Sequence, residues 1–288
     1  MPPIITKLKA AASYIQTRYS GVPVVGIILG SGLGNFVKEM EVEKEIRYED
    51  IPHFPVSTVD GHSGVMIFGK LGGKQVVAMA GRFHYYEGYS VEDVVFPVRV
   101  MKFLGVQTLL ISNAAGTVNP AHRVGDLMAI KDHISFFTPN PLVGRNEEEL
   151  GPRFPDMSQP YSLELIRQAR EIAIEENITL HEGVYTGVTG PTFETRAEYR
   201  LIKLVGGDVV GMSTVQEVIA AVHMGMTVFA VSVVTDIAVL EEGGSIITHE
   251  EVLHAAAEAE PRLTTLFKRI IERISLEKTE NRITLPVS

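Results

Sequence analysis

The sequence of 288 residues contains no cysteine. That absence excludes disulfides, thiolate metal sites and a cysteine nucleophile together, and it suits a reducing compartment. Long apolar runs are missing as well. Stretches such as VFAVSVV at 228–234 fall far below the roughly 18 residues that span a bilayer. Near the amino terminus, Lys7 and Lys9 precede only a short AAA stretch at 10–12, which is neither a signal-peptide core nor a cleavage pattern. The expectation is a soluble, cytoplasmic protein. Basic residues are scarce, with 26 Lys and Arg against 35 Asp and Glu and a net charge of −9. No basic stripe is available to neutralise a run of phosphates, which argues against a nucleic-acid partner. Metal motifs are lacking too: none of the nine histidines falls in HExxH or HxH, and His249 and His254 are five apart, on different helix faces. No metal site is expected, and no G-x-S-x-G elbow marks a serine hydrolase.

What is present is a chain that is 45% hydrophobic and 21% charged, long enough for one large domain or two smaller ones. Apolar runs alternate with segments of helical period, the pattern of an α/β fold with a mostly buried sheet. The runs predict eight strands, at 24–30, 64–69, 75–81, 108–113, 127–137, 184–188, 208–212 and 227–234. Gly72-Gly73 reads as a hairpin turn, so part of the sheet is antiparallel and the sheet mixed. Capping-box spacings predict helix starts at Ser90, Thr195, Ser213 (with Gln216) and Thr248, and further helices cover 4–19 and 162–177. Pro97 and Pro261 are expected to bend or split their helices. The stretch 138–160 is a long loop rich in Pro, Gly and charge, of the kind that is often functional. No repeat, low-complexity tract or linker interrupts the chain, which predicts a single domain over 1–288.

Six segments are equipped for chemistry. GSGLG (30–34) follows a strand and precedes a helix-like segment, so its backbone suits an anion, with Ser31 beside it. The same residues equally suit a tight turn capped by Ser31, and Asn35 breaks the dinucleotide fingerprint at its sixth position. In GRFHYYEG (81–88), Arg82, His84 and Tyr86 share one face if the strand continues, and Arg with His suits an anionic oxygen; a solvated surface strand is the plainer reading. SNAAGTVNP (112–120) ends a buried strand, where α/β proteins form ligand crevices. Phe193 and Glu194 precede the Thr195 cap and suit a flat heterocycle, although Glu194 equally complements the helix dipole. Met212 and Ser213 arrive at a helix start, where Ser213 is a cap or an anion ligand. Asp236 ends an apolar strand and His249 opens a helix, and buried strands that end in an ionisable residue usually do so for a ligand or partner.

Taken in series, GSGLG, GRFHYYEG, SNAAG, RFPDMS, GPTFET, VVGMSTVQE and THEEVL resemble the trimeric purine nucleoside phosphorylases over about residues 20–270. The resemblance implies a mixed sheet partly closed into a barrel and flanked by helices. It also implies reversible phosphorolysis of purine (2′-deoxy)ribonucleosides to free base and α-(deoxy)ribose-1-phosphate, with inorganic phosphate as co-substrate and no cofactor or metal. Phosphate would be held by Ser31, Arg82, His84, the Ala114 backbone N–H and Ser213. Ribose would meet Tyr86, Met212 and His249, with Asn113 nearby, and Phe154 would reach into the neighbouring subunit of a homotrimer, ordering the long loop only on assembly. Phe193, Glu194, Val210, Asp236 and Tyr185 would surround the base. His84, Glu194 and Asp236 are the catalytic candidates. Members of this family that prefer 6-oxopurines usually carry Asn where this chain has Asp236; an ionised Asp suits a 6-amino group, whereas a protonated one donates to N7. The methylthioadenosine phosphorylases, which use Asp in this context, lack the glutamate retained here as Glu194. Inosine and guanosine are therefore expected substrates, with adenosine tolerated better than usual, and a 6-amino preference is the alternative. The rival classes are a dinucleotide-dependent oxidoreductase, opposed by Asn35, and a non-catalytic nucleoside-binding protein, opposed by the full set of phosphate residues.

Overall fold

The computed structural model describes residues 3–30, 34–56, 64–238 and 248–275. Within them the strands are β1 Val25–Ile28, β2 Glu41–Arg47, β3 Val65–Leu71, β4 Lys74–Ala80, β5 Thr108–Thr117, β6 Leu127–Ile134, β7 Leu180–Gly187, β8 Val209–Gly211 and β9 Thr227–Ile237. The helices are α1 Ile4–Gln16, α2 Val91–Leu104, α3 Leu163–Glu175, α4 Arg196–Leu204, α5 Val215–His223 and α6 His249–Arg273.

All eight expected strands form, and a ninth, β2, joins them. Its sequence EVEKEIR buries only Ile46, so it has no apolar run to announce it. It exists because β3 offers an antiparallel partner, and its charges protect the sheet edge it occupies. The sheet order is β2-β3-β4-β1-β5-β8-β7-β6-β9, and β9 pairs back onto β5. That last pairing closes β5, β8, β7, β6 and β9 into a five-strand barrel inside a larger mixed sheet. Gly72-Gly73 makes the expected β3–β4 hairpin.

Three local expectations need correction. The α5 start lies one residue later than Ser213: Thr214 precedes the helix, and Glu217 rather than Gln216 accepts the Thr214 N–H at 3.1 Å. Pro97 and Pro261 leave α2 and α6 unbroken. Each removes one backbone hydrogen bond, and packing of the surrounding buried turns offsets that loss. The strand predicted to end at 113 runs on to Thr117, so the SNAAG segment is strand rather than turn. The 138–160 segment is irregular, as expected.

The sheet positions the site. β4, β1, β5 and β9 are neighbours in parallel, so the residues at their carboxyl ends face one crevice. α1 packs on α2, α2 on α5, α3 on α6, and α5 and α6 on β9, and with the sheet they enclose one continuous apolar core.

Candidate active site

The crevice opens as a cavity of about 350 Å³. Two glycines let its walls come close. A Cβ at Gly30 would lie 2.8 Å from the Asn113 Cα, and one at Gly116 would lie 2.5 Å from Asp236 Oδ2. Gly30 thus allows the end of β1 to meet β5, and Gly116 allows the Asp236 carboxylate to lie against the strand. Thr235 and Asp236 both line the cavity, which a regular strand forbids because successive side chains alternate. The register explains it. Ala115 pairs with Val234 and Gly116 with Asp236, so Thr235 is the extra residue of a β-bulge that re-aims the end of β9.

Arg82 is 1% exposed yet lines the cavity. Its Nε and Nη2 donate to the two oxygens of Glu217 at 3.0 and 2.6 Å, while Nη1 donates to the Ser112 carbonyl at 2.8 Å and to Ser213 Oγ at 3.1 Å. The strand-face expectation fails in detail. β4 stops at Ala80, and Tyr85–Glu87 is a 3-10 turn. Arg82, His84 and Tyr86 nevertheless converge on the cavity, Arg82 from the irregular residues after β4 and His84 and Tyr86 from the turn and its cap. The His84 ring stacks on Tyr86 at 4.7 Å between centroids, and its Nδ1 lies 3.1 Å from Glu87 Oε1, which orients the imidazole. Burial raises the Tyr86 phenol, assisted by Glu87 and opposed by Arg82.

A second polar group holds two carboxyls. Burial pushes Asp236 above the usual carboxylate range, against a 2.9 Å hydrogen bond that its Oδ1 accepts from Thr235 Oγ1. Burial likewise raises Glu194, which accepts from the Tyr199 hydroxyl and feels the Asp236 charge. Tyr199 is raised in turn, mainly by burial and by Glu194. Burial and a neighbouring negative charge both favour the protonated form of a carboxyl.

Phe193, Val210, Met212, Ala114, Asn113 and His249 also line the cavity. His249 is the first residue of α6, set by the expected Thr248 cap, whose side chain accepts from the Glu251 N–H. Two of the candidate residues are placed otherwise. Tyr185 does not line the cavity; it is fully buried on β7, where its hydroxyl accepts the Ser213 N–H at 3.2 Å, and burial pushes it up to about 12. Phe154 stands 87% exposed in the long loop, away from its own chain's cavity. Ser31 lies outside the described residues.

Sequence reasoning missed Glu217, Ser112, Thr235 and Tyr199. For Glu217 a signal existed, since Thr214-x-x-Glu217 has capping-box spacing one residue beyond the pair that was read. Thr235 depends on a bulge, which no local pattern announces. Among the described residues no group of three or more His, Cys, Asp or Glu is arranged to hold a metal ion.

Residues 24–272 match the Phosphorylase superfamily. Purine nucleoside phosphorylase 1 of Bacillus subtilis is 49% identical over 267 residues, covering 92% of this chain and 97% of that protein. Purine nucleoside phosphorylase of Schistosoma mansoni, solved in complex with adenosine, is 45% identical with a TM-score of 0.91, covering 95% of this chain and 99% of the other. The same Schistosoma enzyme solved with inosine gives a TM-score of 0.91 at 44% identity, covering 95% and 98%.

Proposed function

The chain belongs to the phosphorylase superfamily and, within it, to the purine nucleoside phosphorylases, and on that premise we propose how its residues divide the reaction. The activity is reversible phosphorolysis of purine (2′-deoxy)ribonucleosides to free base and α-(deoxy)ribose-1-phosphate. One observation carries the assignment of roles: a single cavity joins the Arg82–Ser213 hydrogen-bonded set to the Glu194 and Asp236 carboxyls, with Tyr86, Met212 and His249 lining it as well. Donors suited to an anion and acceptors suited to a purine edge therefore share one pocket.

In this reading inorganic phosphate is held by Arg82, His84, Ser213, the Ala114 N–H and Ser31. His249 meets the ribose 5′-hydroxyl, and Tyr86 and Met212 bound the sugar, with Asn113 near it. Phe193 and Val210 pack on the base, and Glu194 accepts its N–H groups. A phosphate oxygen attacks C1′ as the bond to N9 breaks. The bond's electron pair passes to the purine, and Asp236 donates its proton to N7. Positioning the anion against an oxocarbenium-like sugar supplies much of the rate, and a donor that strengthens at the transition state contributes about 2–4 kcal/mol. The reaction as written needs no metal or organic cofactor.

The burial that raises Asp236 supports its protonated form and hence 6-oxopurine substrates. The ionised fraction accepts from the 6-amino group of adenosine but has no proton for N7, so adenosine binds and is turned over more slowly than inosine, and the related structures with inosine and with adenosine support both as ligands. A homotrimer in which Phe154 completes the neighbouring site belongs to the same proposal, supported by the exposure of that ring. So does a cytoplasmic location, supported by the cysteine-free composition; among the described residues no helix is long and apolar enough to cross a membrane. The test is product identity: inosine and phosphate should yield hypoxanthine and ribose-1-phosphate in equal amounts, read by chromatography and phosphorus NMR. Free ribose in place of the phosphate ester would refute the reading.

A further inference from the structure

Arg82 does not meet the cavity as a bare cation. Glu217, 3% exposed, takes its Nε and one Nη2 N–H in a two-pronged pair at 3.0 and 2.6 Å, and Nη1 donates to the Ser112 carbonyl at 2.8 Å and to Ser213 Oγ at 3.1 Å, so the guanidinium is fixed on three sides with the second Nη2 N–H outside these bonds. The same carboxylate acts on Ser213 by a second route. Thr214 takes φ +72° and ψ −52°, and the Val215 N–H donates to the Ser213 carbonyl at 2.8 Å. This is a γ-turn of the rare, strained kind, and such backbone persists only where its surroundings over-determine it. Glu217 Oε2 accepts the Thr214 N–H at 3.1 Å, Asn113 Nδ2 donates to Thr214 Oγ1 at 2.9 Å, and the Tyr185 hydroxyl accepts the Ser213 N–H at 3.2 Å. One buried carboxylate thus fixes both the guanidinium and the strained turn that presents the serine.

We propose that Glu217 is a positioning residue for the phosphate substrate, presenting Arg82 and Ser213 to the anion as one preassembled unit. The proposal rests on the reading of Arg82 and Ser213 as phosphate ligands. It has a charge consequence. Because Glu217 neutralises Arg82, the pull on phosphate comes from directed N–H and O–H groups and from the α5 N-terminus rather than from net charge.

The test is a double-mutant cycle read as KM for phosphate and for inosine separately. Glu217→Gln keeps the shape but faces an amide N–H against the donors that the carboxylate accepts, so the fork cannot form. KM for phosphate should rise at least tenfold while KM for inosine stays within twofold, and the Arg82→Ala/Glu217→Gln double variant should lose clearly less than the product of the two single losses, the remainder being the Thr214 route that Glu217 serves without Arg82. If Glu217→Gln does not fold, as followed by thermal unfolding, Glu217→Asp carries the same test. It keeps the charge but withdraws the carboxylate by one methylene, and the same selective loss for phosphate is expected. An unchanged phosphate KM in the variant tested, equal losses for phosphate and inosine, or effects that multiply in the double variant would overturn the proposal. If Arg82→Ala itself leaves the phosphate KM unchanged, the reading of the phosphate site falls, and the proposal with it.

Discussion

Asp236 is held at each of its carboxyl oxygens. Thr235 donates to Oδ1, and Gly116 leaves the room that Oδ2 occupies. The carboxyl is raised by burial, so the donor form survives to higher pH than in an ordinary aspartate and is lost as pH rises through the raised value. The kcat/KM for inosine should therefore fall on the alkaline side with an apparent pKa above the usual carboxylate range. Asp236→Asn, whose amide donates at every pH, should remove that limb, raise inosine turnover at alkaline pH about tenfold and suppress adenosine. A pH profile that survives the substitution would contradict the role given to Asp236. Gly116→Ala offers a separate check, since its new methyl must displace the carboxylate. Inosine kcat/KM should fall at least about tenfold with the phosphate KM unchanged. The type and place of Asp236 were legible in the sequence. Its two supports were not, because one needs a bulge and the other a contact across strands.

At the scale of elements, α6 joins the cavity to the turn that follows β1. Its first residue is His249, and further along it Glu260, 5% exposed, accepts the Asn35 N–H at 2.6 Å, the Phe36 N–H at 3.1 Å and the Asn35 side-chain amide at 2.9 Å. The short 3-10 turn at Gly34–Glu39 is therefore hung on the helix. This accounts for Asn35, which breaks the dinucleotide fingerprint: its side chain is spent on Glu260. Glu260→Ala leaves the buried Phe36 N–H without its acceptor and should destabilise the fold by about 1–3 kcal/mol, a fall in Tm of roughly 2–10 °C by calorimetry. An unchanged Tm would contradict the anchoring. Elements with their own local signal were readable: the Gly72-Gly73 hairpin, the capped starts of α2, α4 and α6, and the buried strands. β2 was not, because its partner β3 rather than an apolar run of its own fixes it, and the start of α5 reads one residue early although Thr214-x-x-Glu217 carries the signal.

At the scale of the whole molecule, the proposed reaction has a protein of net charge −9 take up an anion through local donors, a few N–H and O–H groups within an acidic whole. Its long 138–160 segment presents Phe154, 87% exposed, and Val143, 83% exposed, next to Phe136 at 86%. The proposed trimer would cover Phe154 by seating it at the neighbouring site. Sedimentation should give a trimer, and Phe154→Ala should raise the inosine KM several-fold while leaving the phosphate KM unchanged; an active monomer with Phe154 dispensable would contradict the assembly. The central claim is that phosphate, held by Arg82, is the nucleophile. Its most direct test is hypoxanthine release from inosine, measured with and without phosphate in the native protein and in Arg82→Ala. Release should require phosphate and fall by at least about a hundredfold in the variant at fixed, subsaturating phosphate, a difference of roughly 2.7 kcal/mol. Release that proceeds without phosphate, or that Arg82→Ala leaves intact, would contradict it.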